Sequence, residues 1–483
     1  MSEKSTKMSM FSIFKYAIGD GAFSITMNGM NNFAMIYLTQ ILGLGAKWAS
    51  LAISIAIFWD ALTNPVMGHI SDNTRTRWGR RHPFIMIGGL LAAVMFVLFW
   101  TVPQRFGSTG LMFAAAMGLN LLIRTMLAVY MVPYTALGFE ICPDYDDRSR
   151  LQGVRFFVNQ TTNFVFGAMA WSLFFQEQVN SAGETVDGSL ITANYTKMAI
   201  TLAVSIAVMV LACCWGTRRF AADNRAETVQ SKNLGAIWAG FADIFKDRLA
   251  VRVFIFFVVS QFAMMLMGQT QMFTYIFYMK FSAFEKTVVH GAGMLTFAFC
   301  SLNLSKVVNR LDKKPAGYIG MALAMVGGLG LMGVFSGGLL APQQMPFSLF
   351  GKEVHLSTLV FGLLQMCWWG GCGLVVPLSS SMIADVAAIN EAKTGLKKNA
   401  TYAAVFTFCS KAAGSIGIVI CGVIISAAGI VSGAKVQTAE AARNIALLCF
   451  LSGPLVMLLA MALLHTYPVN RKNIDGMAKQ EGG

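Results

Sequence analysis

Twelve apolar stretches, each long enough to cross a bilayer, recur along this chain and restrict its fold more than any other feature. They lie near 13–41, 48–70, 83–103, 110–137, 151–175, 196–216, 250–280, 285–304, 315–338, 356–384, 401–430 and 439–466. A membrane's hydrocarbon core accepts a helix of roughly 17–25 predominantly apolar residues. The composition agrees: 56% of residues are hydrophobic and 12% charged, with a mean hydropathy of +0.60, against about 25% charged residues in soluble proteins. The reading is an all-α membrane protein with twelve transmembrane helices.

The formal net charge of +14 would suit a nucleic-acid partner if it covered one surface, but it is confined to alternate connections. Arg75, Arg77, Arg80 and Arg81 follow the second span, Arg148 and Arg150 the fourth, and Arg218, Arg219, Arg225, Lys232, Lys246 and Arg248 the sixth. Lys306, Arg310, Lys313 and Lys314 follow the eighth span, and Lys393, Lys397 and Lys398 the tenth. The intervening connections hold little beyond Lys47, Arg105, Lys280, Lys352 and Lys435. Lysine and arginine collect on the cytoplasmic side of membrane proteins. The excess therefore describes topology: a multi-pass protein of the cell inner membrane, both termini cytoplasmic, with no nucleic-acid partner. The nine cysteines lie in or beside apolar spans without a Cys-x-x-Cys pair and read as small buried hydrophobes.

The longest polar connection, Thr217 to Asn233, divides the spans six and six. It predicts an N-terminal six-helix half over 1–216, a cytoplasmic central loop over 217–249 and a C-terminal six-helix half over 250–483. The basic turn from Asp72 to Arg81 after the second span has a counterpart from Ser305 to Lys314 after the eighth, as a duplicated six-helix unit requires. Loops 177–195 and 337–355 fall on the outer side.

Polar side chains within the spans are the candidate functional residues, because a charge at a helix centre costs roughly 2.5–3.5 kcal/mol on insertion scales and is kept where it meets water, substrate or an opposite charge. Asp60 is the lone acid of Ile57 to Gly68. In the first span Asp20, Ser24, Asn28 and Asn31 fall at helical spacing, a stripe suited to line a cavity for a hydroxyl-rich ligand or to bond another helix. Arg124 sits deep in the fourth span, where it points into water or pairs with an acid such as Asp20 or Asp60. Arg155 and Asn159 lie one turn apart in the fifth span, and Lys411 is the only charge within the eleventh. Trp368 and Trp369, with Gln365 on the preceding turn, offer indole faces for a sugar or anchors at the membrane interface. No His-Glu-x-x-His pair, phosphate-binding glycine loop or nucleophile–base set occurs, so neither an enzyme nor a resident metal or cofactor is expected.

The turn Gly68-x-x-x-Asp72 through Gly79-Arg80-Arg81 resembles the signature loop of the major facilitator superfamily. Further segments narrow the resemblance: Tyr16-Ala17-Ile18-Gly19-Asp20, Trp59-Asp60-Ala61-x-x-Asn64-Pro65-x-x-Gly68, and Val132-Pro133-Tyr134-x-Ala136-Leu137 running on to Glu140, Asp144-Tyr145-x-x-Arg148 and Arg155. Together with Ala384-Asp385 and Lys411 they resemble the glycoside–pentoside–hexuronide:cation symporter family, of the melibiose permease type. The resemblance implies the superfamily's fold of two six-helix halves, a cation-site carboxylate at Asp60, a central cavity lined by Arg155 and Lys411, and a cytoplasmic gate of Asp72, Arg80, Arg81 and Glu140. The chain departs from that pattern at Asn64, where a second cation-site acid is expected. It departs again at Ser24 and Met131, in place of sugar-binding acids, and at Thr135, in place of a tryptophan. Arg124 shares a helix face with Met131 and brings a positive charge where a negative one is lost, which fits a substrate carrying a carboxylate or sulfonate.

The expectation is a secondary transporter, monomeric in the bilayer, importing a glycoside, oligosaccharide or acidic sugar by symport. Sodium prefers several hard oxygen ligands. With one carboxylate remaining, a proton is expected as the coupling cation in preference to sodium, carried by Asp60 with Asn64 beside it. Substrate-binding candidates are Asp20, Ser24, Asn28, Arg124, Met131, Arg155, Asn159, Gln365, Trp368 and Lys411. The alternatives are a carrier of lipid or another amphipathic solute in the same fold, and a membrane-embedded enzyme.

Overall fold

The structure, a computed structural model, describes residues 9–76, 78–141, 145–179, 183, 185–220, 234–395 and 398–468. Arg77, Cys142, Asp144, Arg225, Lys232, Lys397 and both termini lie outside the described residues, as does the side chain of Arg148. Twelve long helices are found among the described residues, in the order of the expected spans. The first six are α1 (Met10–Ile36), α2 (Ala46–Asn73), α3 (His82–Thr101), α4 (Thr109–Ile141), α5 (Tyr145–Thr162) and α7 (Thr192–Thr217). The second six are α9 (Arg248–Phe273), α10 (Ala283–Leu311), α11 (Lys313–Leu331), α12 (Leu356–Thr394), α13 (Asn399–Ala427) and α14 (Ala439–His465). Two short helices, α6 (Ala170–Phe174) and α8 (Leu234–Ile244), complete the set.

Ten of the long helices are apolar enough to cross a membrane by length and composition; α1 and α5 fall short of that measure. The cause is visible in their residues. Asp20, Ser24, Asn28, Asn31 and Asn32 in α1, and Arg150, Arg155 and Asn159 in α5, lower the hydropathy of both, and α1 packs against α5. The tenth span is longer than expected: α12 has 39 residues and ends where Gly395 adopts left-handed backbone, φ 68°. The fold is also not wholly helical. Gln178–Val179 pairs with Thr185–Val186, and Pro346–Leu349 with Lys352–His355, as antiparallel hairpins in the two connections expected on the outer side. The second hairpin is tied down by Glu285, the capping-box acid of α10. Its carboxylate accepts from the His355 backbone N–H at 3.1 Å and from Thr358 Oγ1 at 2.5 Å.

The chain forms two compact units, Met1–Leu44 with Ile55–Leu234, and Gly45–Ser54 with Gly235–Gly483. In the first, α3 packs on α4, α1 on α7 and α5, and α3 on α7. In the second, the helices at the same ordinal places repeat those four pairings: α11 on α12, α9 on α14 and α13, and α11 on α14. The first helix of each half also ends in a π-helical turn, Tyr37–Ile41 after α1 and Thr274–Tyr278 after α9. Among the described residues π-helical turns also follow α5 (Asn163–Ala168) and α11 (Met332–Ser336) without a counterpart in the other half, so it is the shared pairings that duplication of a six-helix unit accounts for. Small residues let the helices close up in lipid. A Cβ on Gly371 of α12 would lie 2.6 Å from the Ala324 backbone nitrogen of α11 and closer still to the Gly320 carbonyl oxygen.

Candidate functional site

In the first unit, α1 and α4 are joined by tyrosines that fix the position of Asp20. The Tyr16 hydroxyl donates to the Tyr134 carbonyl at 2.7 Å, Tyr134 donates back to the Tyr16 carbonyl at 3.0 Å, and their rings stack with centroids 4.5 Å apart. Tyr130 donates to the Gly19 carbonyl at 2.7 Å. Beside this ladder Arg155 Nε donates to Asp20 Oδ2 at 2.6 Å, and Asn159 Nδ2 donates to the other oxygen at 3.2 Å. The Arg155 guanidinium also lies over the Tyr134 ring at 5.1 Å, a cation–π contact that suits a dehydrated arginine. One turn along α1, Ser24 Oγ donates to Asn163 Oδ1 at 2.5 Å, and Asn28 Nδ2 donates to the same oxygen and to the Ser24 carbonyl. Asp20, Ser24, Asn28, Arg155 and Asn159 are thus brought together in one network between α1 and α5. Asn163, one turn past Asn159, was not singled out by sequence, although the same amide spacing pointed to it.

Asp60 and Arg124 are brought together between α2 and α4. Trp59 Nε1 donates to Thr125 Oγ1 at 2.9 Å, and the adjacent residues face one another as an ion pair, Arg124 Nη1 to Asp60 Oδ2, at 3.9 Å. Of the two acids that sequence offered as partners for Arg124, Asp20 is engaged by Arg155. The pair is asymmetric in burial: the Arg124 side chain is 3% exposed and that of Asp60 14%. Asn64 and Met131 are half-buried in α2 and α4.

The four expected gate residues form one network across the end of α2, the connection between α2 and α3, and the end of α4. Arg80 pairs with Glu140 at 2.6 Å; Arg81 pairs with Asp72 at 2.7 Å and with Glu140 at 3.0 Å. Arg81 also donates to Ser71 Oγ at 2.9 Å, a contact with no sequence signal. The second unit holds a smaller version. Lys313, which opens α11, pairs with Asp385 near the end of α12 at 2.5 Å, and the Tyr467 hydroxyl donates to the same oxygen at 3.4 Å. Burial first, and then the Asp385 carboxylate, pushes the Tyr467 hydroxyl well above the usual phenol range, so it stays a donor.

Three further candidates lie in the second unit. Gln365 is fully buried and donates to Gln271 Oε1 and to the Tyr275 hydroxyl, the latter at 3.2 Å. Gln271 on α9 and Tyr275, one turn on in the π-helical turn that follows it, were missed by sequence. Lys411 is half-buried in α13. Trp368 corrects the expectation of a stacking platform. Its side chain is fully enclosed, with the ring filling the space a Cβ on Gly453 would need, so it offers no face to a ligand. Its neighbour Trp369 is half-buried and rests on Gly293 and Gly268. The two residues point about 100° apart on the helix, and nothing in their flanking glycines says which one faces the core.

Two units that share four helix pairings, with ion pairs and amides among their long apolar helices, fit a multi-pass transporter of the major facilitator fold. A bacterial homologue of the iron transporter ferroportin superposes with a TM-score of 0.64, at 8% identity over 95% of this chain and 99% of that one. The nucleoside transporter NupG superposes at 0.61, with 13% identity over 95% and 100% of the two chains. At such identities the likeness is one of fold. The profile of the family described as MFS/sugar transport protein matches residues 15–471. The chain belongs to that family, the sugar and glycoside:cation symporters.

The isoprimeverose transporter of Lactiplantibacillus pentosus is 24% identical over 89% of this chain and 83% of that protein. Sodium-dependent lysophosphatidylcholine symporter 1-A of Danio rerio is 22% identical over 99% and 89%. Other matches are shorter. The inner membrane symporter YicJ of Escherichia coli is 33% identical over 32% of this chain, and the chain spans 33% of its length. An uncharacterized symporter of Synechocystis, 33% identical, is spanned over 27% of its length.

Proposed function

We propose that this protein is a secondary active transporter that imports a glycoside, oligosaccharide or acidic sugar by symport, with a proton favoured over sodium as the coupling cation. The observation that carries the reading is the environment of Asp60. It is a carboxylate only 14% exposed inside an apolar helix, with the amide Asn64 one turn on in place of a second acid. An amide supplies a carbonyl oxygen but no charge, which weakens a sodium site and leaves one group able to load a proton. Asp60 and Asn64 hold the cation; Arg155 and Lys411, with the amides around Asp20, act on the substrate; Asp72, Arg80, Arg81 and Glu140 hold the cytoplasmic side. The protein sits as a monomer in the cell inner membrane with both termini cytoplasmic. The relatives that are named as sugar or glycoside symporters support the substrate class.

One observation favours a second reading, a lipid carrier: the lysophosphatidylcholine symporter matches nearly the whole chain. Transport in right-side-out vesicles separates the possibilities. Uptake of isoprimeverose or a related glycoside that collapses with a proton uncoupler and ignores a sodium gradient supports the proposal. Sodium-driven uptake of lysophosphatidylcholine with no sugar uptake contradicts it.

A further inference from the structure

Two arginines are buried inside the helices of the first unit, and they differ in how well their donors are used. Arg155 has a carboxylate oxygen at 2.6 Å, an amide oxygen at 3.4 Å and an aromatic face beneath it. Arg124 is the more deeply buried at 3% exposure. Its contacts are one carboxylate at 3.9 Å, beyond hydrogen-bond reach, and the weakly accepting sulfur of Met27 at 3.4 Å. Its Nε is buried without a partner. A guanidinium carries five donors in a fixed fork that matches two oxygens of one anionic group, and leaving the buried Nε donor unused is costly. The Trp59–Thr125 hydrogen bond beside the pair anchors α2 to α4. Arg124 and Asp60 are therefore held within each other's field without being closed into a bidentate contact.

We propose that Arg124 and Asp60 form an exchangeable internal ion pair, in which an anionic group of the substrate takes the guanidinium while the coupling cation takes the carboxylate. The proposal rests on the reading of Asp60 as the cation site and adds the substrate's charge and the origin of coupling. In the empty protein each group is the other's counter-ion. The first ligand to arrive must compete with that internal partner, whereas the second finds its group already released. Cation and anion consequently assist one another's binding by the same factor. No direct contact between the two ligands is required, and an anionic sugar gains more from the cation than a neutral one, which does not displace Asp60 from Arg124.

The test compares methyl β-D-glucuronide with methyl β-D-glucoside on the purified protein, by calorimetry at neutral pH without sodium, for the native chain, Asp60→Asn, Arg124→Gln and the double variant. Asparagine imitates a cation-loaded Asp60 whichever cation couples. The expected result is that Asp60→Asn binds the glucuronide about tenfold or more tightly than the native protein, within the usual range of coupling energies, and raises the glucuronide-to-glucoside affinity ratio with it. Arg124→Gln should remove the preference for the glucuronide in both backgrounds. Glucuronide affinity that is unchanged or lower in Asp60→Asn overturns the proposal, as does absence of glucuronide binding by that variant. Loss of uphill glucoside accumulation in Asp60→Asn, without any change in the glucuronide-to-glucoside ratio, keeps the symport reading and rejects the exchange.

Discussion

Asp20 and Arg155 show how a charge is kept inside an apolar helix: a 2.6 Å contact, an amide on the second oxygen and an aromatic face under the cation. Breaking a buried pair by removing one partner leaves an uncompensated charge and costs about 3–5 kcal/mol. Arg155→Ala is therefore expected to lower the unfolding midpoint in detergent and to abolish uptake, and Asp20→Asn in addition should recover most of the stability without restoring transport. Thermal unfolding of the three proteins checks this; equal stability of the single and double variants contradicts it. Lys411, half-buried in α13 among small neighbours, is expected to behave differently. Lys411→Ala should insert and unfold normally yet lose uptake, as measured by membrane abundance and vesicle flux side by side. Sequence singled out all three residues because charges in apolar runs are conspicuous. The pairing of Asp20 with Arg155 was not legible, and Asp60 was only one of two acids offered to Arg124, because periodicity gives the face of a residue on its own helix and not which helix lies opposite.

At the scale of elements, apolar length was the dependable signal, and it located every long helix within a few residues at most ends. It was least informative for α1 and α5, whose polar side chains bond to each other and so mimic poor membrane spans in isolation. The π-helical turns after α1 and α9, and the hairpin fastened by Glu285, depend on backbone geometry that composition does not encode. Close packing of α11 on α12 depends on glycine at position 371, where a Cβ would meet backbone atoms that have no flexible end to yield. Gly371→Val is expected to prevent folding, seen as loss of the monodisperse peak on size-exclusion chromatography. Gly333→Val, where nothing lies within 4 Å of the added carbon, should leave that peak intact. A normal profile for Gly371→Val contradicts the close-packed interface.

For the whole molecule, duplication gives the two units four helix pairings in common, and the charge networks follow it. The Arg80–Arg81–Asp72–Glu140 set of the first unit is answered by Lys313–Asp385–Tyr467 in the second. Transport in such a protein is linkage: ligands move a conformational equilibrium only by as much as they bind one state better than another. Substrate and cation must therefore be felt together at a small number of groups. The central claim is that Asp60 is the group through which the cation gradient does work on the substrate. Its most direct test is paired flux in proteoliposomes containing Asp60→Asn, comparing uphill accumulation under an imposed cation gradient with exchange of labelled for unlabelled sugar at equilibrium. The expected result is loss of accumulation with exchange retained. Accumulation at the native level in the variant would contradict the assignment of coupling to Asp60.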